Sequence, residues 1–186
     1  DFMSEIARTK THPVMVGSVQ VGGGAPVSVQ SMCTTKTDDP DATLLQIKEL
    51  AEAGCEIIRV AIPDAKALDG FEEICKYSPL PVVADIHFDY KLALEAAKRG
   101  AAALRINPGN IGSMERVDAV IEAAKEAHIP IRIGVNAGSL AKEFDTRQDM
   151  TLVEKLVASS KSFVEHFSSR GFDDIVLSAK AHDVPT

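Results

Sequence analysis

The sequence predicts an α/β fold: a (β/α)8 TIM barrel present as an incomplete six-strand portion and preceded by a β-hairpin. Three observations predict it. Short apolar runs alternate with helical stretches along most of the chain. Three of those runs carry an arginine in the same place: "IIRVAIP" at Arg59, "ALRINPG" at Arg105 and "PIRIGVN" at Arg132. In each run the polar groups fall on one side and the aliphatic groups on the other, because side chains alternate faces along a strand.

In chain order, Val14–Val16 and Val19–Val21 around Gly17-Ser18 read as a hairpin. Gly22, Gly23 and Gly24 do not fit a G-x-G-x-x-G phosphate loop, and a strand follows them, so a turn is expected there. Strands are then expected near 27–33, 57–63, 81–87, 103–109, 130–136 and 174–180, with helices near 40–53, 65–76, 90–99, 114–127 and 149–169. Asp39 before Pro40, Asp64, Asp89 and Ser113 read as N-caps. Gly54, Gly100 and Gly171 each separate a helix from the next strand, as C-cap glycines do. The segments 107–113 and 139–148 read as loops.

Repeated strand–helix units imply a parallel sheet. Central strands of an open, doubly wound sheet are covered on both faces and read apolar on both sides. Here one side is aliphatic (Ile58, Val60, Ile62; Val82, Ala84, Ile86; Leu104, Ile106; Ile131, Ile133, Val135; Ile175, Leu177, Ala179). The other holds Arg59; Asp85 and His87; Arg105 and Asn107; Arg132 and Asn136; Ser178 and Lys180. That pattern favours a barrel, whose sites lie at the C-terminal strand ends. A full barrel needs eight strands, so residues 27–186 are read as a truncated barrel and 1–26 as a tail plus hairpin.

Buried charge is costly unless paired or used. Arg59, Arg105, Arg132 and Lys180 face one acid, Asp85, which predicts a pocket for a compact anion. Asp85 and His87, two residues apart, are candidate catalytic groups, with His87 as a proton or hydrogen-bond donor. Asn107, Asn136 and Ser139 sit in loops at the active end and are candidate ligand contacts. No third ligand accompanies Asp85 and His87, so no metal site is expected. His12, His128, His166 and His182 have no partner pattern and read as surface or structural. Cys33 is either turned to the site or, as preferred, a small buried thiol.

The chain of 186 residues is 45% hydrophobic with a net charge of −7 and no basic run, which argues against nucleic-acid binding. No apolar run approaches a membrane span and no secretory signal opens the sequence. Three widely spaced cysteines, Cys33, Cys55 and Cys75, fit a reduced, cytoplasmic protein.

Several strings together resemble one family. They are "HPVMVG…GGGAPVSVQSM" (His12 stands where the family has arginine), "EAGCEIIRVAIPD", "PVVADIHFDY", "LRINPGNIG", "IPIRIGVNAGSL" and "GFDDIVLSAKAHDV". The family is that of 4-hydroxy-3-methylbut-2-enyl-diphosphate synthases of the non-mevalonate isoprenoid pathway, and the resemblance runs from Pro13 onward. It implies a barrel of the dihydropteroate-synthase type followed by a C-terminal iron–sulfur domain absent from this chain. It implies reductive ring opening and dehydroxylation of methylerythritol cyclodiphosphate, with ferredoxin or flavodoxin as electron donor and a homodimer when full-length. It implies diphosphate binding by Arg59, Arg105, Arg132 and Lys180, with the motif asparagines at Asn107 and Asn136 and the "ADIH" pair at Asp85 and His87. The family's [4Fe–4S] ligands are three cysteines and a glutamate of the C-terminal domain, so no cluster is expected on this chain, which alone would bind substrate without turning it over. A class I aldolase acting through Lys180 as Schiff base, and an inert barrel fragment, are the competing readings.

Overall fold

A computed structural model describes residues 9–181. Two sheets are present among them. Strands β1 (Val14–Val16) and β2 (Val19–Val21) form an antiparallel hairpin, as expected. Six parallel strands follow in sequence order: β3 (Gln30–Met32), β4 (Ile57–Ala61), β5 (Val82–Asp85), β6 (Ala103–Ile106), β7 (Ile131–Asn136) and β8 (Ile175–Lys180). Between them lie α1 (Pro40–Glu52), α2 (Ala67–Tyr77), α3 (Tyr90–Lys98), α4 (Pro108–Ile111), α5 (Met114–Ala127), α6 (Lys142–Asp145) and α7 (Leu152–Ser169). The sheet curls far enough for Gln30 of β3 to touch Arg132 of β7. This is the six-strand part of a TIM barrel.

The aliphatic side of the strands meets the helices. Ile58, Val60, Val82, Ala84, Leu104, Ile106, Ile131 and Ile133 join Phe71, Ile74, Val120, Ile121, Phe163 and Phe167 in one core. A second, smaller cluster lies inside the curl. Val16 of the hairpin packs on Ile57, Val83 and Ala103, with Val19 and Val21 beside them. The hairpin is thus a floor under the N-terminal ends of the strands. Gly17 makes that seat possible: a Cβ there would stand 2.9 Å from the Pro81 ring.

The caps follow the sequence with two exceptions. Asp39 accepts from the Ala42 N–H, Asp89 from Lys91 and Ser113 from Arg116. Gly54, Gly100 and Gly171 take left-handed φ values of 98°, 99° and 70° just past their helices. Asp64 instead closes a turn onto the Lys66 N–H, and α2 begins two residues later than expected. Helix α7 begins at Leu152 rather than 149, because Thr151 and Glu154 form a reciprocal capping box. The segments read as loops contain the short helices α4 and α6. Gly22 to Ala25 form the expected turn, with the Ala25 N–H on the Gly22 carbonyl.

The first barrel strand is shorter than 27–33. Only Gln30–Met32 pair with β4, while Val27 and Val29 are exposed. Val29 still bonds the start of β4, its carbonyl accepting from the Glu56 and Ile57 N–H groups and its own N–H donating to the Glu56 carboxylate, so the regular ladder begins only at Gln30.

Candidate anion site in the barrel lumen

Odd and even positions along β4 to β7 separate as the alternation requires, and the polar set faces the lumen. Asp85, Arg105 and Arg132 lie side by side in register on three adjacent strands. Asp85 is 1% exposed and carries two guanidiniums: Arg105 Nη1 lies 3.2 Å from Oδ1, and Arg59 Nε lies 3.4 Å from Oδ2. His87 Nε2 stands 3.7 Å from Oδ2, with its ring half exposed at the mouth. One buried carboxylate therefore hydrogen-bonds Arg105, ion-pairs with Arg59 without a hydrogen bond to its buried Nε, and lies near the histidine above them.

Arg132 is placed differently. Its Nη1 donates to Gln30 Oε1 at 2.9 Å, and no carboxylate among the described residues lies within ion-pair distance. Burial, then the like charges of Arg59 and Arg105, pull its pKa below the ordinary arginine value, and Asp85 opposes them. It remains a cation at neutral pH. Arg59 Nη2 also donates to the Met32 sulfur at 3.2 Å.

Above this layer, Ser139 ties two loops together. Its hydroxyl donates to Asn136 Oδ1 at 3.1 Å, and accepts from the Asn136 N–H at 3.0 Å and from Asn107 Nδ2 at 3.3 Å. All three of its hydrogen-bonding positions are used, so Ser139, buried at 2%, holds the two asparagines. Its proton is spent on Asn136, which fixes the Asn107 amide with Nδ2 toward Ser139. Asn107 Oδ1 is left buried without a partner. It lies over Gly134, where a Cβ would stand 2.4 Å from that oxygen and 2.8 Å from Arg105 Nη2. Only a residue without a side chain lets Arg105 and Asn107 fold across β7.

The structure therefore brings together Arg59, Asp85, His87, Arg105 and Arg132, with Asn107 beside Arg105 over Gly134 and Ser139 linking Asn107 to Asn136. Ser178 and Lys180 stand in register with Gly134 and Asn136 on β8, on the lumen-facing parity, with no hydrogen bond or ion pair found to the other site residues. Gln30 and Met32 were not singled out in the sequence, although Ser28, Gln30 and Met32 share one parity of a short strand.

The remaining polar groups lie elsewhere. His166 bonds Asp118 at 2.6 Å together with Arg170, clamping α5 to α7 on the outside. His128 ends α5 in a left-handed conformation with φ 54°. His182 lies outside the described residues. Cys33 belongs to the outer core rather than the lumen. Burial pushes the Cys33 and Cys75 thiols up to about 11 and about 12, away from the thiolate that ligates iron. Among the described residues no group of three or more His, Cys, Asp or Glu could hold a metal ion, so this part does not fit a [4Fe–4S] cluster. No helix among them is long and apolar enough to cross a membrane.

An (α/β) barrel with an arginine-lined, acid-poor lumen is the class of protein these features define. The chain belongs to the GcpE TIM-barrel domain family, which matches residues 11–186. It is 54% identical over 183 residues to the 4-hydroxy-3-methylbut-2-en-1-yl diphosphate synthase (flavodoxin) of Geobacillus thermodenitrificans, covering 98% of this chain and 49% of that protein. It is 49% identical over 179 residues to the enzyme of the same name from Natranaerobius thermophilus, covering 96% and 50%. The chain thus spans about half the length of these curated relatives. Among solved structures it is similar to the 7,8-dihydropteroate synthase of Vibrio fischeri (TM-score 0.62, 17% identity, 90% of this chain and 66% of that one). It also resembles the phospho-2-dehydro-3-deoxyheptonate aldolase of Thermotoga maritima (TM-score 0.60, 17% identity, 90% and 45%). At those identities the likeness concerns the barrel alone.

Proposed function

We propose that this chain is the diphosphate-binding barrel of a synthase that converts 2-C-methyl-D-erythritol 2,4-cyclodiphosphate to 4-hydroxy-3-methylbut-2-enyl diphosphate. The observation that carries the reading is the lumen: two guanidiniums pair with a single carboxylate and a third, Arg132, stands beside them on the next strand without one, in a chain of the GcpE family. A cyclic diphosphate supplies the negative charge that this surplus lacks. In the conversion two electrons and two protons enter. The ring C–O bond to phosphate and a C–OH bond break, a C=C bond forms, and water leaves.

The roles assigned here are those of this chain's own residues. Arg59, Arg105 and Arg132 bind the diphosphate oxygens, and Lys180 and Ser178 complete the cradle from β8. Asp85 orders Arg59 and Arg105 and faces His87, which is placed at the mouth to donate a hydrogen bond or proton to the departing oxygen. Asn107 and Asn136 contact the substrate, and Ser139 acts through them. An iron–sulfur cluster in the other half of the protein would supply the electrons, received from flavodoxin or ferredoxin. Residues 1–26 are assigned to the tail and floor hairpin and 27–186 to the barrel, within a homodimer in the cytoplasm.

Titration calorimetry with the cyclodiphosphate tests the site. Arg105→Ala should weaken binding by about 1.5–3 kcal/mol, the scale of a charged hydrogen bond. Unchanged affinity would remove Arg105 from the site.

A further inference from the structure

Strands β3 and β5 meet the lumen arginines with different groups. Asp85 of β5 offers a carboxylate to Arg59 and Arg105. From β3, Gln30 offers an amide oxygen to Arg132 at 2.9 Å, and Met32 a thioether sulfur to Arg59 at 3.2 Å. The Gln30–Arg132 bond spans 102 residues of sequence and joins β3 to β7, with β4, β5 and β6 between them in the sheet. Arginine has donors only, so the oxygen of the amide must face it.

A carboxylate and an amide both orient a guanidinium, but only the carboxylate neutralises it. Arg59 and Arg105 share their charge with Asp85. Arg132 makes no ion pair, and the distant pull of Asp85 does not offset burial and the crowding by Arg59 and Arg105. A cavity of about 230 Å³ opens beside it, lined by Gln30, Ser31, Met32, Arg59 and Arg132. Room for a ligand, a cation without an ion-pair partner and a neutral acceptor therefore meet at one point.

We infer that Gln30 is a positioning residue, holding the Arg132 guanidinium toward this cavity while leaving its full charge for a phosphate group of the ligand. The inference rests on the reading of the lumen as a diphosphate site and adds a residue to it.

Two substitutions separate positioning from mere packing. In the full-length protein, binding of inorganic diphosphate is measured by calorimetry, and the unfolding temperature is recorded without ligand. Gln30→Leu removes the acceptor, and affinity should fall about tenfold, the scale of one hydrogen bond to a charged group. Gln30→Glu keeps an acceptor but neutralises Arg132. Its ligand-free unfolding temperature should equal or exceed that of the unsubstituted protein, while its affinity falls further than that of Gln30→Leu. Stability and affinity moving in opposite directions is the signature that a packing role would not give. Gln30→Glu binding as tightly as the unsubstituted protein would overturn the inference. So would diphosphate binding that is lost in Arg132→Ala yet kept in both Gln30 variants, which leaves the lumen site standing. An unsubstituted protein that does not bind diphosphate would overturn the lumen reading, and the inference with it.

Discussion

Strands β5 and β8 are both short, parallel and aliphatic on one side, yet they end in different environments. All four residues of β5 are buried, Asp85 included. In β8 none is, and Leu177, on the aliphatic side, is 48% exposed. The difference lies in their neighbours. β5 is paired on both edges, whereas β8 has only β7 beside it among the described residues. Alternation fixes which way a side chain points, but surrounding elements decide what the pointing is worth. Charge in the centre is therefore coupled to stability, and charge at the margin is free of it.

The largest effect expected from this contrast is in packing. Leu104→Ala, at a fully buried centre position, should cost about 2–5 kcal/mol in denaturant unfolding. Leu177→Ala should stay within about 0.5 kcal/mol, as exposed substitutions do. Equal costs would erase the distinction. Next is Asp85→Asn, which leaves two guanidiniums facing a neutral group. The loss should be about 2 kcal/mol or more, below the roughly 3–5 kcal/mol of a fully buried pair because both arginines retain some solvent contact. A stability loss with diphosphate affinity intact would make Asp85 structural rather than part of the site.

Gly134→Ala should cost about 1–3 kcal/mol, the usual penalty of overpacking, and should weaken diphosphate binding by displacing Arg105 and Asn107. The contacts it meets are side-chain ends, so the fold should survive; unaltered binding would show that Arg105 is not held in place by this glycine. A last effect is confined to alkali. The Cys33 thiol is raised by burial, and then by Cys55, from 9.0 to about 11. Between those values the unfolded chain loses the proton while the folded chain keeps it, so stability falls as pH rises from about 9 to about 11. Cys33→Ala should reduce that slope in unfolding measured across the range, the buried Cys75 thiol, raised to about 12, supplying the remainder, and an unchanged slope would assign all of it to other groups.

Much of this was readable in the residues. The alternation in "IIRVAIP", "PVVADIH", "ALRINPG" and "PIRIGVN" gave the strands, their faces and the convergence of Arg59, Asp85, Arg105 and Arg132. What escaped depended on contacts between distant segments. The hairpin was visible, but its place as a floor under Ile57, Val83 and Ala103 comes from tertiary packing. Gln30 falls inside the expected first strand with nothing to mark it, and only the curl of the sheet carries it to Arg132. Expected strand one was too long because Val27 and Val29 have β-forming side chains but lie exposed, and the N–H of Val29 goes to the Glu56 carboxylate instead of to a ladder carbonyl. The short helices α4 and α6 carried no periodicity to read at four residues each.

The central claim is that the curled six-strand piece holds a diphosphate in its arginine-lined lumen. The most direct test is thermal unfolding of this chain with and without methylerythritol cyclodiphosphate. The account predicts one cooperative transition that moves upward as ligand is added, as binding to the folded state alone requires. A cooperative transition that stays in place at saturating ligand would contradict it.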